Sequence, residues 1–131
     1  MKPMIELKLS ADHYRAGEGV NGCFRFPEGV PADVTEVELS LVRFVNRSIS
    51  RGKEGAIHWH VPAFQAWTAD EKTLSHMLDP QPFSLIAPVD SRSYAGMLFK
   101  IEWCVRIRLR FGPTRKDVVK DVMFNIIPSL T

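Results

Sequence analysis

The stretch Leu98-Phe99-Lys100-Ile101-Glu102-Trp103-Cys104-Val105-Arg106-Ile107-Arg108-Leu109-Arg110-Phe111 decides the fold. Phe99, Ile101, Trp103, Val105, Ile107, Leu109 and Phe111 are large and apolar, and Lys100, Glu102, Cys104, Arg106, Arg108 and Arg110 lie between them. Successive side chains of a strand point to opposite faces, so the run presents a hydrocarbon wall on one side and a wet, mostly basic surface on the other. A helix would scatter the same residues around its axis and bury several charges. At about 3.3 Å per residue the run reaches roughly 45 Å, longer than most strands, which predicts a bend or bulge along it. A second apolar sheet must cover the wall.

A chain of 131 residues is expected to form one domain, residues 1–131, with a single core. No apolar run approaches the ~20 residues of a membrane span, and the first residues lack a signal-peptide core, so an integral membrane protein is not expected. A cytoplasmic location and free thiols at Cys23 and Cys104 follow as expectations. Both cysteines fall on charged faces of their strands, with no base beside them in sequence.

The net charge of +2 is unevenly spread. Residues 43–53 carry Arg43, Arg47, Arg51 and Lys53, and residues 100–120 hold seven basic and two acidic side chains, which leaves −7 for the remainder. This predicts a dipolar surface with its basic pole on the central strand.

Around that strand, the pattern predicts strands over 5–9, 20–26, 37–45, 57–61, 83–87 and 118–127. A turn is expected over 11–18, loops at 27–31 and 89–96, a hairpin tip or loop over 46–55, and a strand end at Pro62. Gly22 inside a strand marks a bulge or a close backbone approach. From Leu41 to Val45 the alternation blurs, which points to a bulge, a crossing between sheets or the end of burial. Residues 68–78 fit either a helix, with Thr68 and Glu71 as a capping box, or a strand; the strand suits the rest of the chain. Some eight strands with little helix make an all-β, immunoglobulin-like, two-sheet antiparallel sandwich of about 7–9 strands.

Several pieces together resemble arrestin-type N-terminal domains: Tyr14-Arg15-Ala16-Gly17-Glu18 followed by Val20 and Gly22; the strand Val37 to Leu41; and Phe83-Ser84-Leu85 with Pro88. Ser93-Tyr94-Ala95-Gly96 leading into Phe99 to Val105, and the closing run Phe124 to Pro128, complete the likeness. It covers nearly the whole chain apart from roughly residues 46–80. The resemblance implies a single sandwich related to the halves of arrestins, retromer-associated subunits and bacterial sporulation-control proteins, with a general habit of binding other proteins and no cofactor. Gly17 is expected at positive φ, and the Tyr94 hydroxyl is expected to pin the loop entering the core strand. A phosphate-sensing lysine pair and a buried polar core do not match residue by residue.

Arg106, Arg108 and Arg110, joined by Lys100, Lys116 and Arg43, form the candidate binding surface, suited to an acidic protein, phosphates or an anionic membrane surface. The competing reading is a solvated sheet face whose arginine stems cover apolar neighbours. Nucleic acid is disfavoured, because the aromatics of this strand face the core. His58 and His60 sit two apart, as metal ligands on a strand would, with His13, Glu54, Asp70 and His76 as available third ligands; the plainer reading is two surface histidines flanking a buried Trp59. Trp59, Phe64 and Trp67 are expected to cap one end of the sandwich, with partner anchoring as the alternative. Ser48, Ser50, Ser75, Ser84, Ser91 and Ser93 occupy no nucleophile elbow, and no phosphate-binding glycine loop occurs. The sequence therefore reads as a non-enzymatic interaction module, acting through a sheet edge or the basic face, as a homodimer or an adaptor; a metal-dependent or hydrolytic activity at His58 and His60 is the alternative.

Overall fold

The computed structural model describes residues 4–48, 54–68, 77–95, 99–113 and 115–127. Nine strands lie among them: β1 (Glu6–Leu9), β2 (His13–Arg15), β3 (Gly19–Arg25), β4 (Glu36–Ser48), β5 (Glu54–Thr68), β6 (Gln81–Ile86), β7 (Tyr94–Ala95), β8 (Phe99–Arg110) and β9 (Val118–Ile127). They form a two-sheet sandwich. One sheet has the order β1-β3-β6; the other runs β2-β9-β8-β4-β5, with β7 also paired to β8. All pairs are antiparallel except β2 with β9. No helix of the described residues is long and apolar enough to cross a membrane.

The decisive stretch is β8, the middle strand of the larger sheet. Trp103, Val105, Ile107, Leu109 and Phe111 are each no more than 1% exposed and face the smaller sheet, where Leu7, Val20, Phe24, Phe83 and Leu85 close the core. β8 carries no bulge against β4: their register runs unbroken from Arg110 opposite Glu36 to Phe99 opposite Arg47. The irregularity lies on the far side of β4, where pairing with β5 shifts between Leu41 and Arg43 and again between Asn46 and Ser48.

Other boundaries move for identifiable reasons. β5 continues through Pro62, because an edge strand with a bulge tolerates the missing N–H. β4 and β5 extend into the expected loop over 46–55, pairing as far as Ser48 and Glu54. The turn over 11–18 contains β2, and the loop over 89–96 contains β7. Residues 69–76, which include most of the helix-or-strand segment together with Asp70 and His76, lie outside the described residues, as do Ser50 and Ser75.

Two glycines behave as expected. Gly17 has φ 86°, the left-handed region that costs glycine no side-chain clash. At Gly22 an added Cβ would stand 2.1 Å from the carbonyl oxygen of Lys8, so β1 and β3 approach closely only because nothing is there. The loop entering β8 is held by the Trp103 indole N–H, which donates to the Arg92 carbonyl at 2.9 Å, and by Ser93, whose Oγ accepts from the Ile126 N–H at 2.8 Å. Tyr14 is the buried tyrosine that ties a turn: its hydroxyl donates to the Asn21 carbonyl and accepts from the Ala11 N–H.

Candidate functional site

The outer face of the larger sheet carries the charged side of β8. Directly opposed residues of neighbouring strands share a face, so the register assembles it. Arg106 lies between Ser40 of β4 and Asp121 of β9, Arg108 between Glu38 and Val119, and Cys104 between Val42 and Met123. Arg106, Arg108 and Arg110 thus form the expected stripe, but every guanidinium is engaged. Arg106 makes a bidentate pair with Asp121 at 2.8 and 3.0 Å, which raises its pKa further, and its guanidinium carbon lies 5.5 Å from the centre of the Phe44 ring. Arg108 bonds Asp117 at 3.1 Å, and Arg110 reaches Glu36, Glu38 and Asp117 at 3.2–3.4 Å. Four carboxylates therefore surround three arginines, and the stripe is not a free basic surface.

Beneath these side chains the outer face is dry. Val42 and Cys104 are 0% exposed, although among the described residues no second sheet covers them. The sequence places Cys104 on a wet face; it is buried there instead, and that burial pushes its thiol up to about 12, so it stays protonated at neutral pH. Cys23 is half-buried, and both cysteines are free.

The remaining expected members scatter. Arg43 stands opposite Trp103, whose side chain faces the core, so it sits on the other face from Arg106; its Nε is buried without a hydrogen-bond partner among the described residues. Lys100 shares the outer face but lies exposed at the far end of β8, beside Tyr94 and Glu102, and Lys116 is exposed before β9. Neither belongs to the ion-paired cluster.

His60 is exposed and pairs in register with Arg43; His58 pairs with Val45 through the backbone, and its side chain lies outside the described residues, as does that of Glu54. His13 is exposed and bonds Asp12 at 2.8 Å. Among the described residues no three histidine, cysteine or acidic side chains gather where a metal ion would need them.

The aromatics of β5 divide in a way the sequence did not reveal. Leu41 opposes Ala63 and Arg43 opposes His60, so Val42 faces both Val61 and Pro62. This two-against-one bulge reverses the alternation of β5. On one side of it Trp59 opposes Phe44 and points outward; on the other Trp67 opposes Val37 and points inward, its ring 5.7 Å from that of Phe24. Trp59 and Trp67 have the same parity in sequence and opposite faces in the fold. Trp67 caps the core as expected, whereas Trp59 and Phe64 are 61% and 62% exposed.

The bulge thus brings Trp59, Val61 and Phe64 to one face, along a groove of about 410 Å³. Ser40 and Val42 floor it, and Glu38, Arg106, Arg108 and Arg110 form the opposite bank. Exposed Val119 and Met123 of β9 extend the apolar surface beyond the arginines. What could have flagged the site in sequence is the pair of apolar residues flanking Pro62, since a proline within a strand pattern signals an edge or a bulge.

No protein-family model matches the sequence, and no curated protein matches it either. Among solved structures the chain is similar to Spo0M, a sporulation control protein from Bacillus subtilis, with a TM-score of 0.58 and 14% sequence identity. The match covers 96% of this chain and 50% of that one, so this chain spans half the length of the protein it resembles. The likeness establishes an arrestin-like β-sandwich fold.

Proposed function

We propose that this arrestin-like sandwich is a non-catalytic interaction module whose contact surface is the groove on the outer face of the larger sheet. One observation carries the reading: the bulge at Val61 and Pro62 holds Trp59 and Phe64 on the same face, each more than 60% exposed, beside a dry floor. Exposed aromatics bordering a preformed groove are the side chains that most often anchor a protein partner.

The partner's contacting segment is apolar, with polar groups at its rim. Arg106, Arg108 and Arg110 are already held by Asp121, Asp117, Glu36 and Glu38, so an acidic partner would have to displace bonds that exist. The same pairing weakens the reading of the stripe as a phosphate or membrane surface. The chemistry of the face is that of contact: its thiol is protonated and its guanidinium groups are committed.

The test is affinity capture from the native cell with wild-type protein and the double variant Trp59→Ala/Phe64→Ala, both checked for an unchanged melting temperature. The reading expects a partner on the wild type that the double variant loses. A partner retained equally by both would refute it. Reversing Arg106, Arg108 and Arg110 together is a poorer probe, since it also breaks their ion pairs with Asp121, Asp117, Glu36 and Glu38.

A further inference from the structure

The two ends of the larger sheet are built unequally. β2 closes one end with three residues, His13-Tyr14-Arg15. β5 closes the other with fifteen, and among the described residues no strand lies on its far side. A strand edge is a row of N–H and C=O groups open to another chain, and proteins usually protect it with short length or with charged side chains, lysine above all. The edge at β2 is protected by its length. β5 has no such protection from charge, for not one Asp, Glu, Lys or Arg occurs from Gly55 to Ala69.

We propose that β5 pairs antiparallel with β5 of a second copy of this chain, joining two larger sheets edge to edge. The bulge at Val61 and Pro62 divides the strand into two arms, Glu54 to His60 and Ala63 to Thr68. A two-fold axis near Pro62 sets each arm against the opposite arm of the second copy and brings bulge to bulge, so Pro62 costs the ladder at most one hydrogen bond per copy. A strand that carries no charge beyond its first residue, Glu54, is suited to its own copy in particular. Directly opposed like charges destabilise a strand pair, and between Gly55 and Ala69 no alignment of two copies can oppose any at neutral pH. The neighbouring β4, with Glu36, Glu38, Arg43 and Arg47, would not have that freedom. Pairing uses the backbone edge, so the outer-face groove stays open and this inference stands apart from the proposed partner site.

The test combines sedimentation velocity of the full chain, up to about 100 µM, with amide hydrogen exchange read at low and high concentration. The variant is His60→Lys/Gln65→Lys, two exposed edge positions away from Trp59 and Phe64. Wild-type protein should shift from monomer to dimer with concentration, amides of residues 59–66 should exchange at least tenfold more slowly in the dimer, and the variant should remain monomeric with an unchanged melting temperature. A wild-type chain that stays monomeric throughout overturns the proposal. So does a dimer that the variant preserves, or one whose protection falls outside β5; both place the contact on another surface. The exchange measurement on wild type decides the matter even if the variant folds poorly.

Discussion

The two faces of the larger sheet are both dry, but by different means. On the inner face Val105, at 0% exposure, is buried by a second sheet. On the outer face Val42 is equally inaccessible, yet among the described residues no second sheet lies above it, and Arg106, Arg108 and Arg110 border the same groove. Burial between two sheets is held by the whole fold. Burial beneath long side chains is local, can relax, and ends where those side chains end, which is where Trp59 and Phe64 stand exposed.

The sharpest way to break this comparison is to make the same deletion on both faces. Val105→Ala should cost about 2–3 kcal/mol, with the cavity locked between sheets, whereas Val42→Ala should cost about 1 kcal/mol, because the side chains above can settle into the gap. Urea unfolding of the two variants decides it, and equal costs would mean the outer face is as rigid as the core.

Alkaline pH sharpens the comparison next. The folded chain holds the Cys104 proton up to about 12, against 9.0 for an ordinary thiol. The unfolded state therefore loses that proton first, so this contribution to stability is intact below pH 9 and is lost as pH rises toward 12. Unfolding free energy measured from pH 8 to 11 should fall along a limb that Cys104→Ala flattens. In native protein at pH 8, a thiol reagent should modify half-buried Cys23 well before Cys104; equal rates would show the outer face to be open.

Asp121→Asn comes third. It removes one charge of the bidentate pair at the groove's bank and should lower stability by about 0.5–1 kcal/mol, less at high salt. Smallest is Trp59→Ala/Phe64→Ala, expected within about 0.5 kcal/mol of wild type by thermal melting, since neither ring belongs to the core. A large loss there would turn the exposed pair into a structural one.

How much of this was legible follows from where alternation is uniform. β8 reads directly because its inner side chains are all apolar and its outer ones nearly all charged. Cys104 misled, since the sequence places a residue on a face but not the neighbours that cover it. Only the ion pairs with Asp117, Asp121, Glu36 and Glu38 show that the arginines are neutralised. β5 was the least legible: it is apolar on both faces, carries a proline, and reverses its parity at one bulge. A period-2 reading assigns Trp59 and Trp67 to the same side, and the groove is invisible until they are separated.

That bulge is also where the account can be tested most directly. Deleting Pro62 removes the extra residue yet leaves Trp59 opposite Phe44, so the outer face should persist without the bulge, whereas Trp59→Ala strips the anchor from that face. Capture of the partner from the native cell by the two variants is the measurement. Binding kept by the Pro62 deletion and lost by Trp59→Ala is the predicted result; equal binding by both would contradict it.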